Sequence, residues 1–128
     1  MSRPPAAPAK PVAAARRRRT VNVAMIPSVS GGLGHVTRTV KLARALQQAD
    51  ASLRISYVLD EVALRPLNLE AVERTGFPVH ILPNPVRHER EAKIRAVLGE
   101  TDVVIEDTNR RLIAHRPYLP RLRAWISI

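Results

Sequence analysis

The sequence predicts an α/β domain built on an open parallel sheet with helices on both faces. Short β-branched apolar runs alternate with longer segments whose apolar residues recur at helical spacing. Prolines and glycines mark the borders between these segments. The chain has 128 residues, 45% of them apolar, 3% aromatic and none cysteine. That is enough for one domain with an aliphatic core, and it excludes a disulfide frame, a thiolate nucleophile and a cysteine metal site.

The run VNVAMIPSV (21–29) reads as a buried strand ended by proline and glycine. HVTRTVKLARALQQAD (35–50) sets Val36, Val40, Ala43 and Leu46 near helical spacing, with basic residues opposite, and predicts a helix. SLRISYVLDE (52–61) is a second strand, and LNLEAVERTG (67–76) a short helix closed by Gly76. PVHILP (78–83) is a third strand, REAKIRAVLGE (90–100) a helix closed by Gly99, and DVVIED (102–107) a fourth strand. RRLIAHRPYLPRLRA (110–124) has helical character that Pro117 and Pro120 must break. AWISI (124–128) begins a fifth strand. Alternation of this kind predicts βαβ units with right-handed crossovers, a Rossmann-like sheet. The fifth strand has no helix after it, the pattern expected of the front of a longer chain or of a separately encoded half.

The net charge of +10 is unevenly spread. Arg3, Lys10 and Arg16 to Arg19 put six of the 21 basic residues in positions 1–19, which hold no acidic residue. From position 20 onward, 15 basic residues face 11 acidic ones. The Pro/Ala/Arg-rich stretch 1–19 has no apolar periodicity and is expected to be a disordered tail, with residues 20–128 forming the domain. It lacks the apolar run of a secretory signal. Its arginines allow contact with anionic lipid through charge alone, while a nucleic-acid role has little else to support it. No stretch reaches the roughly 18–20 apolar residues of a membrane span. The expected location is cytoplasmic, with at most peripheral contact at the inner face of the membrane.

Ligands of open α/β sheets sit beyond the carboxyl ends of the strands. SVSGGLGHVTRTVKLARAL (28–46) lies at such an end. Gly31, Gly32 and Gly34 allow positive φ and close approach of another molecule, and the helix start behind them favours anions. A P-loop needs a lysine where this chain has His35, and Val36 displaces the hydroxyl of Thr37. A dinucleotide turn would have a third glycine where Thr37 stands, with Asp60 as the acid on the ribose. A nucleotide- or dinucleotide-binding module without transferase activity is the alternative that this loop leaves open.

A third pattern fits the loop. SGGLGHVTRTVKLARAL resembles the amino-terminal motif of GT-B glycosyltransferases, in particular family 28 and the lipid-linked N-acetylglucosaminyltransferase group. The match consists of Gly31, Gly32, Gly34 and His35, followed by Leu42, Ala43 and Leu46, with Arg38 suiting a GH-x-x-R variant. It covers about residues 20–128, the later strands sharing only the rhythm of the family.

The resemblance implies the acceptor-side half of a two-domain enzyme. Such an enzyme moves a hexosyl group from a nucleotide sugar, UDP-linked in this expectation, to an acceptor hydroxyl that can be lipid-linked. A carboxyl-terminal donor-binding domain or partner subunit supplies the rest. The resemblance makes His35 the base that takes the acceptor proton. This suits imidazole, which titrates closest to neutrality, at a helix start that disfavours imidazolium. Gly31, Gly32 and Gly34 become the close-approach backbone, and Arg38 a contact for an anionic group. No cofactor and no metal is expected. His35 could equally cap its helix.

VIEDTNR (104–110) ends the fourth strand on the same rim. Glu106, Asp107 and Asn109 there suit sugar hydroxyls, although Asp107 or Thr108 could instead cap a following helix. His80 is expected to pack or to meet solvent, and His88 and His115 to be solvated.

Overall fold

A computed structural model of the chain describes residues 20–62, 64–83, 87–107 and 119–128, with 87 and 88 described by backbone alone. The tail 1–19 and the stretch 108–118, with Thr108, Asn109, His115 and Pro117, lie outside the described residues, as does the side chain of His88. The elements are β1 (Val21–Pro27), α1 (Gly34–Ala49), β2 (Leu53–Asp60), α2 (Pro66–Glu73), β3 (Val79–Leu82), α3 (Arg87–Leu98), β4 (Val103–Asp107) and β5 (Ala124–Ser127). All five strands are parallel, in the order β3-β2-β1-β4-β5. The fold is the expected open Rossmann-like sheet with helices on both faces.

β1 lies at the centre and is covered on both sides, so its buried positions run continuously from Val23 to Pro27 instead of alternating. The pleat then divides the side chains. Val23, Met25, Ile55, Tyr57, Leu59 and Ile105 pack with Val36 and Ala43 of α1 and Val72 of α2. Ala24, Ile26, Val58 and Val104 pack with Ile94 and Leu98 of α3 and with Leu119. Full burial of each large aliphatic side chain contributes about 1.5–3 kcal/mol.

Thr39 is buried within the apolar face of α1, where a periodicity count gives it no place. Its hydroxyl donates to the Val36 carbonyl at 2.8 Å and accepts from the Tyr57 hydroxyl at 3.1 Å. Both hydroxyls leave water with a partner, which removes most of the penalty of burial. This pair anchors α1 on β2.

Element bounds differ from expectation most at α3, which begins at Arg87 rather than 90. Arg87, His88 and Glu89 are polar, so apolar periodicity has nothing there to count. Gly76 has φ +77°, the left-handed conformation expected where α2 closes. Gly99 closes α3 for a different reason: a Cβ there would stand 2.5 Å from the Arg95 carbonyl oxygen. His80 is half-buried on β3 and lines a cleft with Asn22, Glu100 and Thr101, at the amino-terminal rim of the sheet. Among the described residues, no helix is long and apolar enough to cross a membrane.

Candidate active site

β1 and β4 run side by side and end in register, Pro27 opposite Asp107. The Ser28 N–H still donates to the Asp107 carbonyl at 2.9 Å, so the chain leaves the sheet tied to β4. Strand alternation sends the Asp107 side chain, like that of Ile105, to the face covered by α1. His35 and Arg38 stand three residues apart in the first turns of α1 and so share one side of the helix. Side chains 69 and 72 positions apart in the chain thereby meet above the sheet.

Asp107 is fully buried and takes two bonds from one guanidinium. Arg38 Nε donates to Oδ2 and Nη2 to Oδ1, both at 2.7 Å. His35 Nδ1 lies 3.1 Å from the same Oδ1. Arg38 Nη2 also comes within 3.2 Å of Nδ1. Two tautomers compete, and charge decides between them. A bare Nδ1 would turn its lone pair on a carboxylate oxygen, whereas Nδ1–H donates to it. Arg38 Nη2 makes its shorter bond to Oδ1, so its approach to Nδ1 is the third side of a triangle. The protonated Nδ1 leaves the Nε2 lone pair directed away from Asp107.

The His35 side chain is 34% exposed and Arg38 56%, above a carboxylate with no exposure at all. The Arg38 guanidinium is raised above its ordinary value, first by its hydrogen bond to Asp107 and then by the charge there. The helix begins after Leu33, which makes no side-chain cap. His35 thus does not cap its helix; its ring is turned to Asp107.

Residues 28–33 form the floor of the site, and their carbonyls are held from α2. Asn68 Nδ2 donates to the carbonyls of Val29 at 2.9 Å and Gly31 at 3.1 Å. Arg65 donates its N–H to Val29 and its Nε to Ser30. Neither residue stands out in a motif search. The available signal is phase, since Asn68 sits within LNLEAV at a position that turns out buried.

Among the described residues positive φ is confined to Gly76, so the freedom that Gly31, Gly32 and Gly34 allow is not taken up. What sets Gly31, Gly32 and Gly34 apart is space, because a Cβ on any of them would meet nothing within 4 Å among the described residues. Their surroundings are open to an approaching molecule.

Asp107 was expected to face a substrate or to cap a following helix; in the structure its oxygens meet His35 and Arg38. Asn109 lies outside the described residues. Asp60, the acid a dinucleotide turn would use, is buried and takes paired bonds from Arg90 Nη1 and Nη2 at 3.0 and 2.7 Å, with the Val62 N–H at 3.0 Å. Among the described residues no three His, Asp or Glu side chains gather into a metal site.

The sequence matches no family model, and no curated protein matches it at a significant level. Fold and geometry therefore define the class: a Rossmann-like α/β domain with an oriented imidazole beside a glycine-rich loop at the carboxyl-end rim of its sheet.

Proposed function

We propose that the chain is the acceptor-binding half of a GT-B glycosyltransferase that transfers a hexosyl group from a UDP-sugar to an acceptor hydroxyl. One observation carries this reading. The half-exposed His35 ring is held through Nδ1 by a buried carboxylate, which leaves Nε2 available as a base.

In the proposed step, Nε2 takes the acceptor hydroxyl proton as the oxygen bonds to the anomeric carbon of the sugar. The bond from that carbon to the diphosphate breaks, and the nucleotide diphosphate leaves with the electron pair. Asp107 stabilises the imidazolium that forms and fixes the ring angle, which makes it a positioning residue. Arg38 clamps Asp107 and presents its remaining guanidinium edge to an anionic group of a substrate. Gly31, Gly32 and Gly34 admit the substrates to the backbone, and Asn109 contributes a polar contact to the sugar. A second, donor-binding domain supplies the diphosphate contacts through dipoles and side chains, and no metal takes part. The setting is cytoplasmic, with the membrane inner face as the place of a lipid-linked acceptor.

The test is an NMR titration of the nitrogen-labelled chain with primary alcohols and phenols, and in parallel with NAD and ATP. Alcohol-dependent shifts in residues 31–38 that weaken in His35→Ala are expected. Tight NAD or ATP binding that ignores this substitution would replace the transferase with a nucleotide-binding module.

A further inference from the structure

Glycine has more backbone freedom to lose than any other residue, and fixing one residue's backbone costs about 1–2 kcal/mol. Residues 29–32 carry two glycines, and among the described residues their hydrogen bonds all come from Arg65 and Asn68. The Arg65 N–H and Nε reach the carbonyls of Val29 and Ser30 at 3.3 and 3.1 Å. Asn68 Nδ2 reaches those of Val29 and Gly31 at 2.9 and 3.1 Å. Each bond contributes about 0.5–1.5 kcal/mol net, the same order as the entropy of one residue. Loop order therefore depends on how many of the four bonds remain.

For stability alone, Asn68 is a poor occupant of its place. It is 1% exposed, and Oδ1 is buried with no hydrogen-bond partner. Such an atom costs about 1–3 kcal/mol, close to what the two Nδ2 bonds return. Leucine has nearly the same outline and no such atom. With leucine there, the Val29 carbonyl would keep its bond from the Arg65 N–H, and the half-buried Gly31 could turn its own to water. What leucine cannot supply is the direction of two peptide planes. A trans peptide unit is planar, with its N–H opposite its C=O. Because the Val29 and Gly31 carbonyls turn toward Nδ2, the N–H groups of Ser30 and Gly32 turn away from it, on residues that are exposed.

We infer that Asn68 is a positioning residue, whose amide keeps the glycine-rich loop in the arrangement that receives the acceptor. The Ser30 and Gly32 N–H groups then stay turned outward, where an oxygen of the bound molecule can take them. This role rests on the transferase reading for its substrate, an alcohol, but not for the loop order. A ligand that binds only the ordered loop loses affinity in proportion to the fraction of chains that hold it.

The test compares the nitrogen-labelled chain as wild type and as Asn68→Leu. The variant is expected to melt close to the wild-type temperature, with the His35 ring-nitrogen shifts unchanged. The backbone order parameters of Ser30, Gly31 and Gly32 should fall from about 0.85 to below about 0.6. Binding of n-butanol, read from shifts in residues 31–38, should weaken about fivefold as the ordered fraction drops. A loop as ordered in the variant as in the wild type overturns the inference. So does an Asn68→Leu chain that fails to fold or melts far lower, because Asn68 would then serve the fold itself. A wild-type chain that ignores butanol while Asn68→Leu still loosens the loop would sink the transferase reading and leave the hold of Asn68 on the loop standing.

Discussion

Two aspartate–arginine pairs stand at the carboxyl ends of strands on either side of β1, and they have different fates. Asp60 ends β2 on the α3 side of the sheet and Asp107 ends β4 on the α1 side. Each is gripped through two oxygens by one guanidinium from the helix above it. Arg90 is 19% exposed and Asp60 5%, so that pair is sealed between α3 and the sheet. Arg38 is 56% exposed, and its carboxylate also holds an imidazole that reaches solvent. The chemistry of the pair is the same in both. What turns a structural clamp into a candidate site is a solvent-reaching imidazole among the partners and an open loop in front of it.

Exchanging substitutions between the pairs tests this contrast. Under the proposed transferase function, the largest effect is expected from His35→Ala, assayed for sugar transfer with donor and acceptor present. Turnover should fall about 10²–10⁴-fold, the range for loss of a positioned general base, with the melting temperature nearly unchanged. Asp107→Asn should approach the same loss through the wrong imidazole tautomer, detectable in the ring-nitrogen NMR shifts of His35. Activity surviving both changes would erase the difference between the two pairs.

At the sealed pair the effect should appear in stability. Arg90→Ala leaves a buried carboxylate without its cation and should cost about 3–5 kcal/mol, read from urea unfolding. Per folded molecule, transfer should change little. A variant as stable as the wild type would show that the Asp60 clamp is not what closes α3 onto the sheet.

Arg38→Lys should fall between these extremes. Lysine keeps the charge but cannot bond both carboxylate oxygens in a fork, so Asp107 and His35 lose angular definition. The expected signature is a turnover loss of about tenfold, on the scale of one charge-assisted hydrogen bond, with a small stability change because the guanidinium is largely solvated.

The smallest effect concerns the platform beneath the site. Burial raises the Tyr57 phenol above its ordinary 10.0, against the opposing pull of its Thr39 hydrogen bond and the Arg44 charge. A phenol whose folded value is raised contributes stability fully below about pH 10 and loses it as the pH climbs through the folded value. Thermal melts from pH 9 to 11 should show this alkaline decline, and Tyr57→Phe should flatten it.

The individual members of the candidate site were legible in the sequence, but their association was not. His35, Arg38 and the loop glycines form a local pattern, and Asp107 ends an apolar strand run. Nothing local says that Asp107 bonds His35, because the contact spans 72 positions. The roles of Asn68 and Arg65 were hidden as well, since they act by bonding loop carbonyls, and backbone acceptors leave no mark in composition. The glycines were read for positive φ and for close approach; among the described residues none of the three has positive φ, and an added Cβ on any of them meets nothing.

The order and kind of elements followed from the sequence alone, because burial on both faces of a strand or one face of a helix selects residues at fixed short periods. Which strands became neighbours, and hence which carboxylate met the imidazole and which was sealed under α3, was decided only in three dimensions. Strand order and register depend on how the two faces of the whole sheet are covered, and the one-residue pleat then assigns each strand-end side chain to a face.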